Sequence, residues 1–500
     1  MTEVRISSVL NNRNILSPSN YSSFDILANK KYPLRDLIDG IDKGIEIGST
    51  NYVEKSDYKF IRTAAFTDYK YSIVEDENSV LQISKLAFVD MNLKQDDLLI
   101  VKDSNVGEVV LLDSDYPNYM YSSGINRIKI SKDKYYIYAI IKNKKFKEQL
   151  FSKIPKGATI MHAKDLYLDC IIPYPNSRKV VEYVESLIKI IINKEKELKN
   201  KITKINNIII TELNCSNWNN DSNKKYPKIS QLMQINRLDT GNYTEEFSVI
   251  DNNIKNYYNG CFYISADCIS GGNTPKQRHI GNDDLKYYWI VPSYIYNDGT
   301  IDLSYRIDCE KNNINENCML IINRTSKGGL GEYVGISSYY DYEINGKAQH
   351  NQGIYRVKNS DNKKLILMTC LMNSKIYRKY CANLSMGSKM KELKLNNILS
   401  IPFPNFPESV VNNICSLYYN KLTKEASTSE RFEIDNKNWD DKAGVLDLFT
   451  SIQTTKEKLN DIIENIYING NIDLSYKIFW AAQYCCFLNL IWKLSKKIYW

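Results

Sequence analysis

Side chains that could carry out chemistry are few in this chain and scattered. Its 500 residues contain three histidines, His162, His279 and His350, too far apart in sequence to suggest a metal cluster. None of its 11 cysteines forms a CxxC pair, and spacings such as Cys261 to Cys268 and Cys309 to Cys318 do not fit a zinc motif. Carboxylates sit in mixed polar runs with no spacing that pairs an acid with a base. The run Gly271-Gly272-Asn273-Thr274-Pro275-Lys276 lacks the spacing of a phosphate-wrapping loop, and neither an Asx-Pro-Pro-Tyr nor a Phe-x-Gly-x-Gly motif for amino-methyl transfer occurs. The chain does offer cations, amides and hydroxyls in turns: Arg62, Lys70, Lys102 and Arg127 in its first half, Thr274, Lys276, Arg278, Arg324 and Lys327 in its second. Arg and Lys neutralise phosphates or fork onto guanine, and Asn or Gln forks onto adenine. This is the chemistry of a DNA binder, although any one basic loop also reads as an ordinary solvated turn.

The elements that must position these residues occur twice. Pro173 and Pro175 align on Pro402 and Pro404, Gly124 and Arg127 on Gly353 and Arg356, and Ile61 on Ile290, every pair at one constant offset along the chain. The shared place of Arg127 and Arg356 suits a structural or phosphate role better than base reading. Asp97–Val101 followed by Asn105–Val109 corresponds to Cys318–Ile322 followed by Leu330–Tyr333, each a strand, a glycine turn and a second strand. The fold class predicted is α+β, with two tandem repeats each built around a curved sheet and ending at a Pro-x-Pro that stops both ladder and helix.

A helix follows each Pro-x-Pro. Val181, Val184, Ile188, Ile191, Leu198, Ile202, Ile205 and Ile209 recur at spacings of three and four, with Glu195 breaking the seam. Some 35 residues of helix span roughly 50 Å. In the second half, Val411, Ile414, Tyr418 and Leu422 begin a helix that a polar stretch from Thr423 to about Ala443 interrupts. Val445, Leu448, Ile452, Thr455, Leu459, Ile462 and Ile466 then restore the seam. Two such stripes are expected to pack on each other as an antiparallel coiled coil, the alternative being that each packs on its own domain. Ile202→Asp should then leave an uncompensated charge in the seam.

A formal charge of +8 allows a basic face but no polycation, and 43% hydrophobic with 25% charged residues describes a globular chain able to bury a core. Tyr, at 38 against 14 Phe, suits wet binding surfaces, or reflects the Lys, Asn, Ile and Tyr bias of an AT-rich genome. The N-terminus has no signal-peptide pattern, so a reducing cytoplasm is expected. Ile478–Trp492, interrupted by Gln483 and Asn489, is shorter than a bilayer requires and reads as a buried helix, without membrane attachment.

In order and duplication, Ser270–Pro275, Tyr288-Trp289-Ile290, the Gly331 turn, Gly387–Met390 and Ile401-Pro402-Phe403-Pro404 leading into a long helix resemble the specificity subunit of type I restriction-modification enzymes. Asn236-Arg237-Leu238-Asp239 with Tyr243 resembles the motif that opens its target-recognition domains. The resemblance covers most of the chain and implies recognition domains at 1–176 and 227–405, a spacer helix at 177–226, and a second helical region at 406–500 carrying an insert and an apolar tail. It implies no catalysis: each domain would read one half of a bipartite double-stranded DNA site. The helices, with Val181, Ile188, Leu198, Ile202, Ile205, Leu448, Ile452, Leu459 and Ile462 at their interface, would set the gap and dock two methyltransferase subunits. Restriction or translocase subunits would join these, and the methyl donor and ATP would belong to such partners. The first copy lacks the Gly-Gly-Asn-Thr-Pro run, and the insert departs from a plain two-helix spacer. The same architecture could serve another methylation-linked phage-defence system, or a coiled-coil adaptor with no DNA contact.

Overall fold

A computed structural model describes residues 26–470, apart from 77, 155–161, 215–228, 236–242, 244, 277–278, 282–284, 309–313, 326–332, 388–389 and 423–431. Among these residues, no helix is long and apolar enough to cross a membrane. The apolar run 478–492 and the Asn236–Asp239 motif lie outside the described residues. The chain divides into two compact units. The first runs to Glu197 and takes in the described residues of 424–441 and those from Thr450 on; the second holds Leu198 to Leu422 and 442–449.

The first repeat contains β1 (Lys30–Pro33), β2 (Gly40–Lys43), β3 (Lys59–Ile61), β4 (Val80–Gln82), β5 (Leu98–Val101), β6 (Val109–Leu111), β7 (Tyr119–Tyr121) and β8 (Ile125–Lys129). A helical hairpin, α1 (Lys134–Lys142) and α2 (Lys144–Lys153), precedes β9 (Ile171–Tyr174) and the long α3 (Arg178–Glu212). The second half begins with α4 (Ile229–Ile235) and α5 (Glu245–Lys255), then β10 (Cys261–Phe262), β11 (Ile269–Gly271), β12 (His279–Gly281), β13 (Tyr287–Ile290), β14 (Arg306–Asp308), β15 (Cys318–Ile322), β16 (Arg324–Thr325) and β17 (Ser337–Tyr340). It continues with α6 (Tyr342–Asn345), β18 (Ala348–His350), β19 (Ile354–Lys358), α7 (Asn362–Asn373), α8 (Lys375–Leu384), β20 (Lys391–Glu392), α9 (Leu395–Leu399) and β21 (Phe403–Pro404). Helices α10 (Glu408–Tyr418), α11 (Phe432–Lys442) and α12 (Val445–Asn469) complete it.

Among the described residues each repeat has two larger sheets, with two-stranded ladders beside them (β1-β9 in the first, β10-β21 and β16-β20 in the second), where a single curved sheet is expected from sequence. An antiparallel sheet of order β2-β8-β5-β6 recurs as β11-β19-β15-β17. The second sheet is β4-β3-β7 in one copy and β12-β14-β13-β18 in the other, and each contains one parallel pair in the same register: Lys59 faces Tyr119, and Tyr288 faces Ala348. Both members of the pair are related by the offset of the sequence repeat. The core fills the space between the sheets, with Ile61 and Tyr121 against Leu99, Val101 and Val110 in the first copy and Ile290 and Ala348 against Leu320 and Ile322 in the second. Helices cover the other face of the four-stranded sheet, which is why β5 and β15 are buried along their whole length and read as unbroken apolar runs. Gly335 (φ +88°) precedes β17 and returns its N–H to Ile322 at the end of β15, as Gly107 (φ +83°) does to Val101 at the end of β5; Gly331 lies outside the described residues.

Caps start the helical hairpins: Asn143 accepts from Lys145 N, Asp361 from Lys363 N and Ser374 from Tyr377 N. Tyr136 donates its hydroxyl to the Pro173 carbonyl (2.5 Å), and Tyr377 does the same to Pro402 (2.6 Å), so each Pro-x-Pro is tied to its hairpin. Much of the tyrosine excess is spent inside: Tyr121, Tyr136, Tyr138, Tyr167, Tyr340 and Tyr377 are among the largest fully buried side chains.

Both helical seams are buried. Val181, Val184, Ile188, Ile191, Leu198, Ile205 and Ile209 are enclosed on α3, as are Val445, Leu448, Ile452, Leu459, Ile462 and Ile466 on α12, whereas Ile202 is only half-buried. In the first unit the two helices run antiparallel. The start of α3 and the end of α12 both lie at β9, where Gln149 donates to the Ile171 carbonyl and to the Tyr467 hydroxyl, while Glu195 farther along α3 meets Lys456 at 3.0 Å. The interruption of the second seam contains a helix of its own, α11. Its Asp440 pairs with the fully buried Lys194 of α3, whose ammonium also lies 4.4 Å from the Trp439 ring centroid. In the second unit the Asp447 carboxylate accepts from the N–H groups of Asn420, Leu422 and Gly444, each at 2.8 Å, joining the end of α10 to the start of α12.

Glu195 accounts for the break in the apolar seam. Its carboxylate accepts from Tyr71 N (2.9 Å) and Ser72 N (3.2 Å). Burial pushes its pKa up, but the charges of Lys456 and Lys70 and the Tyr71 N–H outweigh burial and hold it below the ordinary value. Lys456→Met, by stranding this carboxylate, should cost about 3–5 kcal/mol in denaturant unfolding of the full chain. Ile202→Asp should cost clearly less than Ile188→Asp, because position 202 is partly wet. Since the folded pKa of Glu195 is depressed, its contribution is present above pH 4.5 and lost as pH falls through the lowered value. Glu195→Gln should therefore flatten the acid limb of stability against pH. A Cβ at Gly44 would collide with the Ser122 carbonyl and one at Gly272 with that of Asn351, while one at Gly48 would meet only Thr50 Oγ1 at 3.6 Å. Gly44→Ala and Gly272→Ala should each cost about 1–3 kcal/mol, and Gly48→Ala little, in the same unfolding measurement.

Candidate nucleic-acid interface

At one end of each repeat the strand ends meet in an apex built by the same five main-chain hydrogen bonds. In the first copy Gly44 N donates to Ile125 O (3.1 Å), Ile45 N to Tyr121 O (3.1 Å), Lys102 N to Gly124 O (2.9 Å), Ser122 N to Ile61 O (3.0 Å) and Ala163 N to Lys102 O (2.8 Å). In the second the matching bonds run from Gly272 to Ile354 (3.3 Å), Asn273 to His350 (3.1 Å), Asn323 to Gly353 (3.0 Å), Asn351 to Ile290 (3.1 Å) and Leu393 to Asn323 (2.7 Å). The first copy therefore has a counterpart of the Gly271–Pro275 loop, the run from Gly44, although its side chains differ. In the sequence Gly44 stands out of step with the other blocks, because its separation from Gly272 falls one position short of the common offset.

The apexes gather some of the residues expected from sequence and not others. Arg62 is exposed, with Nη1 donating to the Asn78 carbonyl (3.2 Å), and half-buried Lys102 lies across the junction from it. Lys70 belongs elsewhere, beside buried Glu195, whose pKa it helps to lower. Arg127 is enclosed by its own fold. It meets Asp42 at 2.6 Å and Asp97 at 3.0 Å and donates to the carbonyls of Met91 (3.2 Å) and Asn92 (3.3 Å). Burial works against its charge, but the bonds to the two carboxylates prevail and raise its pKa. Arg127 thus has a structural role, and its counterpart Arg356 bonds to Ser270 and Asn315 in the same register on the four-stranded sheet. In the second copy Thr274 is half-buried, Lys276 is exposed, and Arg324 lies half-buried in β16, at the apex. Arg278 and Lys327 lie outside the described residues.

The apexes also hold side chains outside the set of turn residues expected to meet DNA. His162 Nδ1 lies 2.6 Å from Asp103 Oδ1 across an isolated bridge, Asn105 Nδ2 donates to the Thr63 carbonyl (3.4 Å), and Ser123 Oγ to Glu46 (2.6 Å). In the second copy Asn323 Nδ2 donates to the Gln352 carbonyl (3.4 Å). His350, buried under Gly272, has its pKa pushed down to about 4, chiefly by burial and then by Arg356, so it is neutral at pH 7. Among the described residues no group of three His, Cys, Asp or Glu could hold a metal. The apexes present cations, amides and carboxylates on a common main-chain frame.

No protein-family model matches the chain, and no curated protein matches it. Solved structures do match. The S subunit of a type I restriction-modification system from M. genitalium shares 12% identity over 89% of this chain and 96% of its own, at a TM-score of 0.36. A structure described as the basis of complex assembly and conformational transition in the type I R-M system (9% identity, 88% and 97% covered) and the HsdS subunit from Thermoanaerobacter tengcongensis (10%, 88% and 97%) each score 0.27.

Proposed function

We propose that this chain is the DNA-specificity subunit of a type I restriction-modification complex, each repeat reading one half of a bipartite duplex site at its apex. The observation that carries this reading is the duplicated apex, in which five equivalent main-chain bonds hold up different side chains. A common floor with different readers is what two unlike half-sites require, since main-chain geometry positions a reader and side chains specify the base. On this reading the paired helices α3 and α12 set the gap and dock two methyltransferase subunits, with restriction or translocase subunits joining them. The methyl donor and ATP then belong to those partners, and the chain is itself non-catalytic and acts in the cytoplasm.

The test is a gel shift with mixed-sequence duplex DNA at two salt concentrations, on the full chain alone and with the subunits that co-purify with it, alongside transfer from a radiolabelled methyl donor. Binding should fall by orders of magnitude between about 50 and 200 mM salt, as phosphate contacts require. Label should enter DNA only when the partner is present. Methylation by the chain alone, or no duplex binding in either preparation, would overturn the assignment.

A further inference from the structure

Lys102 and Asn323 occupy the same node. Each donates its N–H to the glycine carbonyl of the turn, Gly124 or Gly353, and accepts from Ala163 or Leu393. The residues next to that node are therefore equivalent across the copies, Asp103 with Arg324 and His162 with Glu392. Within each copy they face one another, Asp103 opposite His162 in an isolated bridge and Arg324 opposite Glu392 in the β16–β20 pair. Residues directly opposed across antiparallel strands project from one face. The pair has inverted polarity between the copies: an acid facing an imidazole in the first, a guanidinium facing an acid in the second.

We propose that these two pairs are the base-reading elements of the repeats and that they read opposite chemistry, Asp103 an exposed amino group of cytosine or adenine and Arg324 the acceptor edge of guanine. The proposal rests on the DNA-specificity reading above. A carboxylate at an apex is repelled by phosphate and gains only from a donor, and in the major groove the base donors are cytosine N4 and adenine N6. If position 103 meets a base edge, so does its equivalent, Arg324. Both are placed to do so. The side chains of Asp103 and His162 are 31% and 53% exposed, and the imidazole engages one carboxylate oxygen while the second keeps acceptor capacity. Arg324 makes no ion pair and no side-chain hydrogen bond among the described residues, unlike Arg127 and Arg356, so its fork is available. Each pair sits over a glycine whose added Cβ would press on this floor: at Gly124 it would lie 3.1 Å from Thr63 Cγ2 and 3.5 Å from Asp103 Cβ, at Gly353 2.9 Å from Pro292 Cγ and 3.2 Å from the Arg324 carbonyl.

The test is selection from a randomised duplex pool by full chain isolated with its natural partners, as wild type, Asp103→Asn, His162→Gln and Arg324→Gln, each checked for unchanged melting. Asp103→Asn should relax a cytosine or adenine preference at one position of one half-site by roughly five- to hundred-fold. His162→Gln should act at that same position, and so provides a second readout if Asp103→Asn melts early. Arg324→Gln should relax a guanine in the other half alone. Weakening of all sequences alike would mark phosphate contacts and overturn the proposal, as would unchanged selection or changes in both halves. A wild-type pool with no enriched bipartite site would instead bring down the DNA-specificity reading itself, and this proposal with it.

Discussion

A single buried charge pair, Glu195 of α3 with Lys456 of α12, organises the first unit. Lys456 also donates to the Tyr69 carbonyl (2.5 Å) and lies 4.7 Å from the Tyr71 ring centroid, while Glu195 takes the N–H groups of Tyr71 and Ser72. Two helices and the loop after β3 thereby converge on one ion pair. Such a pair adds little net stability over a well-packed apolar alternative, but any misregister leaves a charge unpaired out of water, so it selects one alignment. Buried Lys142 braces the same loop by donating to Thr67 O (2.5 Å), and burial lowers its pKa to about 8. The loop that follows β3 is thus held by a polar network seated on the helices.

The duplication shows which features the scaffold requires and which it leaves open. Glycine recurs at equivalent close approaches: a Cβ at Gly44 or Gly272 would strike the opposing backbone at Ser122 or Asn351, and one at Gly124 or Gly353 would press on the side chain of Thr63 or Pro292. Gly107 and Gly335 recur because both turns need a positive φ. Around these points residues differ: Met120 becomes Gln349, whose buried amide has no hydrogen-bond partner among the described residues, and Asp42, which holds Arg127, becomes Ser270, which bonds Arg356. Equivalent arginines are kept by different partners, so the place is structural even though its chemistry has drifted.

The helix inside the second seam changes what surrounds α3. Leu187, Ile190 and Ile192 lie off the repeating stripe yet are buried, and so is Lys194, held by Asp440 and Trp439. A helix enclosed on several sides needs more than one partner, and α11 supplies the contact at Lys194. Burial lowers the pKa of Lys194 and raises that of Asp440, and their mutual attraction opposes both shifts. The cost of burying both is tolerable only while they stay together.

By itself the sequence determined the local and periodic features: two repeats at one constant offset, a helix after each Pro-x-Pro, and seams spaced at three and four. Each follows from interactions within a few residues or from one face meeting an apolar surface. The fate of the individual cations was decided by tertiary structure. Arg127 and Arg62 look alike in a list of turn residues, but Asp42, 85 positions away, and Asp97 enclose the first, while the second stays exposed. Lys70 was claimed by Glu195, which lies far along the chain on α3. The second sheet, the Asp103–His162 pair and the burial of Lys194 likewise depend on contacts between distant segments. An ionised side chain follows the electrostatic free energy of its final surroundings, and those surroundings exist only once strands and helices far apart in the chain have been brought together.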